Sequence, residues 1–358
     1  MVTGNKGEWS EFYALIKLLS TGKLFAADEN AERLSNIFFP ILKIFRTEQT
    51  KNDIEYVICS SDQTVEIHIH EHRPKKILQS DLADKAEYIY SNITDYNNNG
   101  AFEIKDSEQI MDTLYCSKIS SPSTDKTDIT MKIHDILTGY DPICGFSIKS
   151  EIGSPPTLLN ASGATNFVFE VRGLTDKQME IVNSINTKNK IIERMKKIYE
   201  YGSLEYRYPK NQNFKGNMML IDTYMDSIIA DMLFDFYHHN ISECRLLVSR
   251  IEKKNPLSYP RSGLYEFKFK KFLCSVALGM VPAKSWDGHD EANGGYIIVK
   301  EDGDVVAYHL YNRSAFETYL LNTTKFERGS TTKHNFASIY KIDGKMYIDL
   351  NLQVRFIG

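Results

Sequence analysis

Between residues 8 and 19 the apolar side chains Trp9, Phe12, Tyr13, Ile16 and Leu19 recur at intervals of three and four. This spacing predicts a helix from Glu8 to Leu19, ended by Gly22. The next apolar run predicts a second helix from Glu29 to about Arg46, kinked or broken at Pro40. Alternation takes over at Ile54–Ser60 and Thr64–His72, where Val65, Ile67 and Ile69 are interleaved with Glu66, His68 and His70, the pattern of strands. Residues 91–127 read as loops around a short helix near 106–116. From Asp128 the chain is extended, with DITMKIHD, a turn at TGYDP and then CGFSIKS, a β-hairpin pattern. A Gly/Pro/Asn/Ser-rich stretch leads into the short strand FVFEV. Residues 174–201 and 217–240 are helical in pattern, with Thr175 as an N-cap. From about Pro256 the chain reads as mostly β, through YEFKFKKFL, GYIIVK-EDG-DVVAYHLY and IYKIDGKMYIDLNLQVRF, with hairpin turns at Asp302-Gly303 and Asp343-Gly344.

Composition narrows the class. The chain has 358 residues, 42% hydrophobic and 25% charged, which is enough for a large core in one or two domains. A formal net charge of −4 excludes a non-specific polycation but leaves room for a local basic surface. The five cysteines stand far apart with no Cys-x-x-Cys pair, so a disulfide framework and a structural zinc site are not expected. The N-terminal residues carry an acid and no long apolar run, and no stretch nears the ~20 apolar residues of a membrane span. A cytoplasmic protein is expected. Glu66, His68, His70 and His72 could imitate a histidine metal site, but with no companion ligand motif they read as a polar strand face.

The chemistry concentrates between Asp128 and Glu151. Eighteen residues separate Asp128, at the start of one strand, from Ser147 on the next. Alternate strand residues share a face, so Ser147, Lys149 and Glu151 point together while Ile148 points away, and a twisted hairpin can bring Asp128 beside Lys149. Carboxylates in such a place can hold Mg2+, which neutralises charge on a phosphoryl group and activates water. A lysine can position the nucleophile or stabilise the transition state. Spacing alone leaves an exposed Asp–Lys ion pair as the commoner reading. Glu8 and Glu11 lie three apart on the first helix, where acids also suit a helix N-terminus.

An aspartate at a strand start followed by acid-x-lysine on the next strand resembles the PD-(D/E)xK nuclease motif. Asp128 and Lys149 match it, while Ser147 stands where the usual acid would be. Some restriction enzymes of that superfamily carry serine there and supply an acid from a following helix, but positions 161–163 here are Ala-Ser-Gly. Glu151 on the same strand face, and more distantly Glu170, are the alternatives. Glu11, Ala14, Leu18 and Gly22 resemble the first helix of many such nucleases, in which the glutamate faces the metal. More widely, NKGEWSE, DITMKIHDILTG, GFSIKSEIGSPPTLLNASGATNF, ANGGYIIVKEDGDVVAYHLYNR, FERGSTTKHNF and IDLNLQVRF look like the HpaII-type restriction endonucleases over nearly the whole chain. The resemblance implies an α/β (α+β) fold with a PD-(D/E)xK-like mixed-sheet core flanked by helices. On this division, residues 1–255 form the core with helical insertions and 256–358 a β-rich region contributing to DNA recognition. It also implies a type II restriction endonuclease that cuts duplex DNA at CCGG with Mg2+, leaving 5′-phosphate ends. Asp128, Lys149, Ser147, Glu11 and Glu151 are then the catalytic group, with the metal on Asp128, Glu11 and Glu151.

A G·C-rich target asks for Arg or Lys at guanine O6 and N7 and for an acceptor at cytosine N4. Asn312, Arg313, Arg328, Lys333, His334 and Asn335 are candidates for such contacts or for phosphate contacts, against the plainer reading of a solvated basic loop. Asn160, Ser162, Thr165 and Asn166 carry short polar groups on a glycine-containing loop that could approach DNA or simply form a turn. A palindromic target favours a homodimer, with a monomer cutting one strand at a time as the alternative. Two other functions fit the same residues. One is a structure-specific repair or recombination nuclease. The other is a sequence-specific DNA-binding protein that has lost catalysis, marked by Ser147.

Overall fold

The computed structural model describes residues 2–48, 53–69, 73–98, 100–120, 127–309 and 312–357. They form two compact units, each built from two stretches of chain. One comprises Met1–Pro156 and Asp290–Tyr319, the other Thr157–His289 and Leu320–Gly358. This replaces the consecutive regions 1–255 and 256–358 expected from sequence, because the hairpin near residue 300 completes the sheet begun by the N-terminal half.

The first unit starts with helix α1, Lys6–Thr21. Its N-terminus is closed by a capping box, in which Asn5 accepts from the Glu8 N–H (3.1 Å) and Glu8 accepts from the Asn5 N–H (2.8 Å). Gly22 ends it at φ +62°, where an added Cβ would also meet Ile58 at 3.2 Å. The face carrying Trp9, Phe12, Ile16 and Leu19 is fully buried, and α1 packs on a second helix, Gln79–Asp95, and on a nine-stranded mixed sheet. In chain order the strands are β1 (Lys23–Ala27), β2 (Arg33–Thr47), β3 (Asp53–Cys59), β4 (Thr64–Ile69) and β5 (Lys75–Leu78). After helix α2 (Gln79–Asp95) come β6 (Ile129–Ile133), β7 (Ile143–Ser150), β8 (Gly295–Val299) and β9 (Val305–Tyr308). Across the sheet the order is β1-β9-β8-β7-β6-β2-β3-β4-β5. The β7–β8 and β9–β1 pairs are parallel and the others antiparallel. Strand β8 can start beside β9 only because residue 295 is glycine: at φ +122° a Cβ there would lie 1.9 Å from the Tyr308 carbonyl oxygen.

The helix expected over Glu29–Arg46 is instead the fifteen-residue strand β2. The run is rich in β-branched and aromatic residues, and Pro40 inside a helix would cost about 3 kcal/mol. As a strand, its first half pairs with β1 up to Lys23–Pro40, and its second half pairs with β6 and β3. Pro40 sits at the join, where its missing N–H interrupts neither ladder. Helix α2 has no counterpart in the sequence expectations, which put 91–95 in a loop, although Leu82, Ala86, Ile89 and Ile93 form its buried stripe.

The second unit holds a four-stranded antiparallel sheet ordered Ser203–Pro209, Asn166–Arg172, Lys345–Asn351, Ile339–Ile342. The turn joining the last two strands has positive φ at both Asp343 (49°) and Gly344 (78°), as its sequence requires. The expected strand YEFKFKKFL is a helix, Leu264–Ala277. Its alternation lasts only six residues, whereas Tyr265, Phe269, Phe272, Leu273 and Val276 make a helical stripe that is buried. The Glu252 carboxylate closes its N-terminus by accepting from the Tyr265 and Glu266 N–H groups (3.0 and 3.1 Å). The region after residue 256 is therefore mixed rather than mostly β. All five cysteines are free thiols. Among the described residues no helix is long and apolar enough to cross a membrane.

Candidate active site

The β6–β7 ladder sets the geometry of the site. Ile129 pairs with Phe146, and the Asp128 N–H donates to the Phe146 carbonyl (2.9 Å), which puts Asp128 opposite Ser147. Opposed residues share a face. One oxygen of the Asp128 carboxylate accepts from the Ser147 hydroxyl (3.1 Å) and from the Ile148 N–H (2.6 Å). The neighbouring strand therefore holds the carboxylate in place. Ser147, 7% exposed, acts as a donor to the aspartate.

Asp128 opens onto a cavity of about 350 Å³ that Glu11 of α1 also lines, together with Thr130, Ile148, Arg46 and Glu48. Two carboxylates that the sequence places on separate elements thus reach one space. The cavity wall is polarised further by a buried ion pair, Arg46–Glu48 at 2.5 Å. Glu48 also accepts from the Ser117 N–H (2.9 Å) and hydroxyl, and Arg46 donates to the Lys118 carbonyl. The sequence reading picked out neither Arg46 nor Glu48.

Lys149 lies two residues beyond Ser147 on the same face and is partly buried. Its ammonium makes no hydrogen bond or ion pair among the described residues, and it does not line the cavity. At about 3.3 Å per residue, Glu151 stands roughly 13 Å along the strand from Ser147. It accepts from the Tyr319 hydroxyl (3.1 Å). Burial raises its pKa, and the Tyr319 bond opposes that rise only in part. Glu151 is therefore not brought to Asp128. Glu8 is spent on the capping box. Glu170 belongs to the second unit, where burial would raise its pKa but bonds from Arg207 (2.6 Å) and Arg172 (3.1 Å) outweigh that and hold it below the ordinary glutamate value.

Tyr296 on β8 pairs in register with Ser147 and so joins the same face. It is fully buried, and its hydroxyl has no hydrogen-bond partner among the described residues. Burial first, and the Asp128 charge second, push its pKa well above the ordinary phenol value, so it stays protonated. No local pattern marks it in the sequence, since its partner strand is parallel and far along the chain.

Among the described residues no three His, Cys, Asp or Glu side chains cluster closely enough to hold a metal. His70 and His72 lie outside the described residues, and His68 bonds Glu66 (3.1 Å). What the cavity offers is a pair of hard oxygen ligands, Asp128 and Glu11. That set fits Mg2+, which takes one or two carboxylates and completes its shell with water and phosphate oxygens.

The expected DNA-contacting residues fall in both units. In the first, Asn312 donates to the Ala27 carbonyl (3.3 Å) and Arg313 pairs with Asp290 (2.9 Å). In the second, Asn160, Lys333 and Asn335 are exposed. The Arg328 guanidinium donates to Asn240 and lies 5.3 Å from the Phe236 ring centre. Thr165 and Asn166 are buried, and with Ser162 they bond the Asn351 amide, while Asn166 also holds the His334 carbonyl (3.0 Å). The Thr165 and Asn166 side chains and the Ser162 carbonyl thus tie this segment to Asn351, and Asn166 ties it to the end of the short helix Thr331–His334.

The profile of the family described as HpaII restriction endonuclease matches residues 5–356. The chain is 39% identical over 359 residues to the type II restriction enzyme HpaII of Haemophilus parainfluenzae, an alignment that covers 99% of each protein. No solved structure matches. On these matches the chain belongs to the HpaII restriction endonuclease family and is a type II site-specific deoxyribonuclease.

Proposed function

We propose that the enzyme hydrolyses duplex DNA at CCGG with Mg2+, leaving 5′-phosphate and 3′-hydroxyl ends, and that the first unit is a PD-(D/E)xK-like core. One observation carries this reading. Asp128, held by Ser147 and the Ile148 N–H, shares a cavity with Glu11, and Lys149, without an ion-pair partner among the described residues, follows on the same strand face as Ser147. Type II enzymes generally work with a divalent metal ion. Here Asp128 and Glu11 would hold it, and Mg2+ would neutralise charge building on the phosphoryl oxygens.

The chain's own residues do the rest. Ser147, with the Ile148 N–H, would fix the position of the Asp128 carboxylate at the edge of the cavity. Lys149 supplies a second positive charge that draws in the phosphodiester and orients the attacking water for in-line displacement. Glu11, not Glu151, completes the acidic pair, because Glu151 lies too far along the strand and is engaged by Tyr319. Arg328, Lys333, His334, Asn335 and Asn160 contact DNA from the second unit, and Asn312 and Arg313 from the first. Ser162, Thr165 and Asn166 act by holding loops. The palindrome is read by two copies of the chain related by a two-fold axis.

The test is Lys149→Ala, assayed with Mg2+ on duplexes that carry CCGG or a scrambled site. Wild type should cut only the former, at one bond per strand as read by end-sequencing. The variant should lose about 100-fold or more in cleavage rate with unchanged thermal unfolding. Cutting by the variant at the wild-type rate removes Lys149 from the mechanism, and cutting of the scrambled duplex removes CCGG.

A further inference from the structure

The second unit holds another polar cavity, of about 300 Å³, between the helix Lys190–Tyr201 and the segment 331–340. Its walls include Lys190, Arg194, Thr331, Asn335, Ser338 and Tyr340, with no Asp or Glu among the described residues that line it. Arg194 is 6% exposed. All five of its N–H donors go to neutral oxygens: the carbonyls of Ile185, Asn183 and Ala337, and the Ser338 hydroxyl. No carboxylate pairs with it among the described residues. A buried cation without a counter-charge is costly and rare, and burial accordingly lowers the pKa of this guanidinium. Asp349, bonded to the Tyr340 hydroxyl (2.6 Å), does not supply the missing charge, since Lys210 already neutralises it (2.6 Å). The cavity therefore keeps a net positive potential. Lys190 also lines it, and its ammonium donates to the neutral Asn186 amide oxygen (3.3 Å) and meets no carboxylate among the described residues.

We propose that this cavity binds one phosphate of the DNA backbone. Lys190, Thr331 and Asn335 would touch the phosphate oxygens, and Arg194, with every donor already used, would provide fixed positive charge behind them. Arg194 also ties the helix to the Ala337 carbonyl and the Ser338 hydroxyl, so the short helix Thr331–His334 and its C-cap Asn335, just before them, would be registered on the same phosphate. The contact positions the protein on duplex DNA and reads no base. The inference rests on DNA being the partner and not on the CCGG target.

Arg194→Met would break five bonds and the local fold with them, so the test uses Lys190→Ala and Thr331→Val, each checked for wild-type thermal unfolding. Binding to a CCGG duplex and to an unrelated duplex is measured against salt without divalent metal, so that nothing is cut. For Lys190→Ala the slope of log affinity against log salt should become shallower by about 0.9, the value of one lost phosphate contact, and equally so on both duplexes. Duplexes that carry a single neutral methylphosphonate should reveal one position that weakens wild type several-fold and leaves both variants unaffected. An unchanged slope with no such position overturns the inference while leaving CCGG cleavage standing. A wild type that cuts elsewhere overturns CCGG, and the slope comparison then decides this site on the duplex it does cut. If inorganic phosphate raises the melting temperature of wild type but not of Lys190→Ala, and the slopes agree, the cavity serves a small phosphate ligand and the DNA assignment falls.

Discussion

Asp128→Asn tests the catalytic role proposed for Asp128 apart from its structural one, and the geometry bounds the structural part. The carboxylate oxygen that accepts from Ser147 (3.1 Å) and the Ile148 N–H (2.6 Å) is replaced by an amide oxygen of the same shape, so both bonds survive. What they lose is charge assistance. A bond to a charged group contributes about 1.5–3 kcal/mol and a neutral one about 0.5–1.5 kcal/mol. Against that loss stands the relief of no longer desolvating a partly buried carboxylate. The net effect is about 1 kcal/mol, a fall of roughly 2–4 °C in melting temperature for a unit of this size. A protein stable by about 5–15 kcal/mol remains folded after such a change. The amide, however, cannot offer negative charge to a divalent ion. Cleavage should therefore drop by about 100- to 1000-fold, the range seen when one preorganised electrostatic group is removed. The assay combines nicking and linearisation of a plasmid with a single target site, thermal unfolding, and calorimetric titration with Ca2+, which reports ligation without turnover. Cutting by the variant within tenfold of wild type would refute the assignment of Asp128. So would unchanged Ca2+ binding.

Two further substitutions test the surroundings. Burial raises the Glu151 pKa above its unfolded value, with Tyr319 opposing. The folded state therefore holds that proton more tightly, and this contribution to stability is complete below the unfolded pKa and lost as pH rises through the folded one. Glu151→Gln keeps the acceptor for Tyr319 and cannot ionise, so it should melt higher than wild type at about pH 7 and converge with it near pH 4. A constant gap across that range contradicts the reasoning, and a loss of cleavage in this variant would return Glu151 to the catalytic group. Asn5→Ala removes half of the capping box on α1 and should cost about 1 kcal/mol in denaturant unfolding. Because the frayed turn lies just before Glu11, the Mg2+ concentration for half-maximal cleavage should rise as well. A variant with wild-type metal dependence would show that the first turn of α1 does not set the Glu11 position.

Local structure was legible wherever one periodicity acted alone. The α1 stripe of Trp9, Phe12, Ile16 and Leu19 has only a helical reading, and its Asn5 cap and Gly22 stop agree with it. Reading failed where apolar residues run together. In Arg33–Thr47 both faces of the strand are partly covered, because successive halves pair with different partners, so the apolar positions crowd instead of alternating. The opposite error arose at Leu264–Ala277. Phe267 is exposed there and adds an apolar residue on the solvent side, which turns a helical stripe into a brief alternation. In both segments the tertiary partners, not the intrinsic preference, decide the element.

The same distinction governs what could be read of the site. Asp128 and Lys149 lie on the two arms of one hairpin, so register follows from local pairing, and a strand's period of two puts Ser147 and Lys149 on one face whatever else the fold does. At Ser147, the position that departs from the motif the sequence resembles, the structure shows a hydrogen-bond donor to Asp128. The serine contributes no charge, yet its hydroxyl and the next N–H hold the aspartate, and Glu11 on another element lines the same cavity. That meeting depends on how α1 packs against the sheet and could be reached only through family likeness. Tyr296 could not be reached at all. Its place beside Asp128 follows from a parallel pairing between segments far apart in the chain, made possible by a glycine whose φ of +122° lets β8 enter beside β9. A buried hydroxyl with no partner among the described residues, on the face of the aspartate, is the kind of feature that only the assembled sheet creates. It marks where non-local pairing, and not residue pattern, builds the chemistry of this fold.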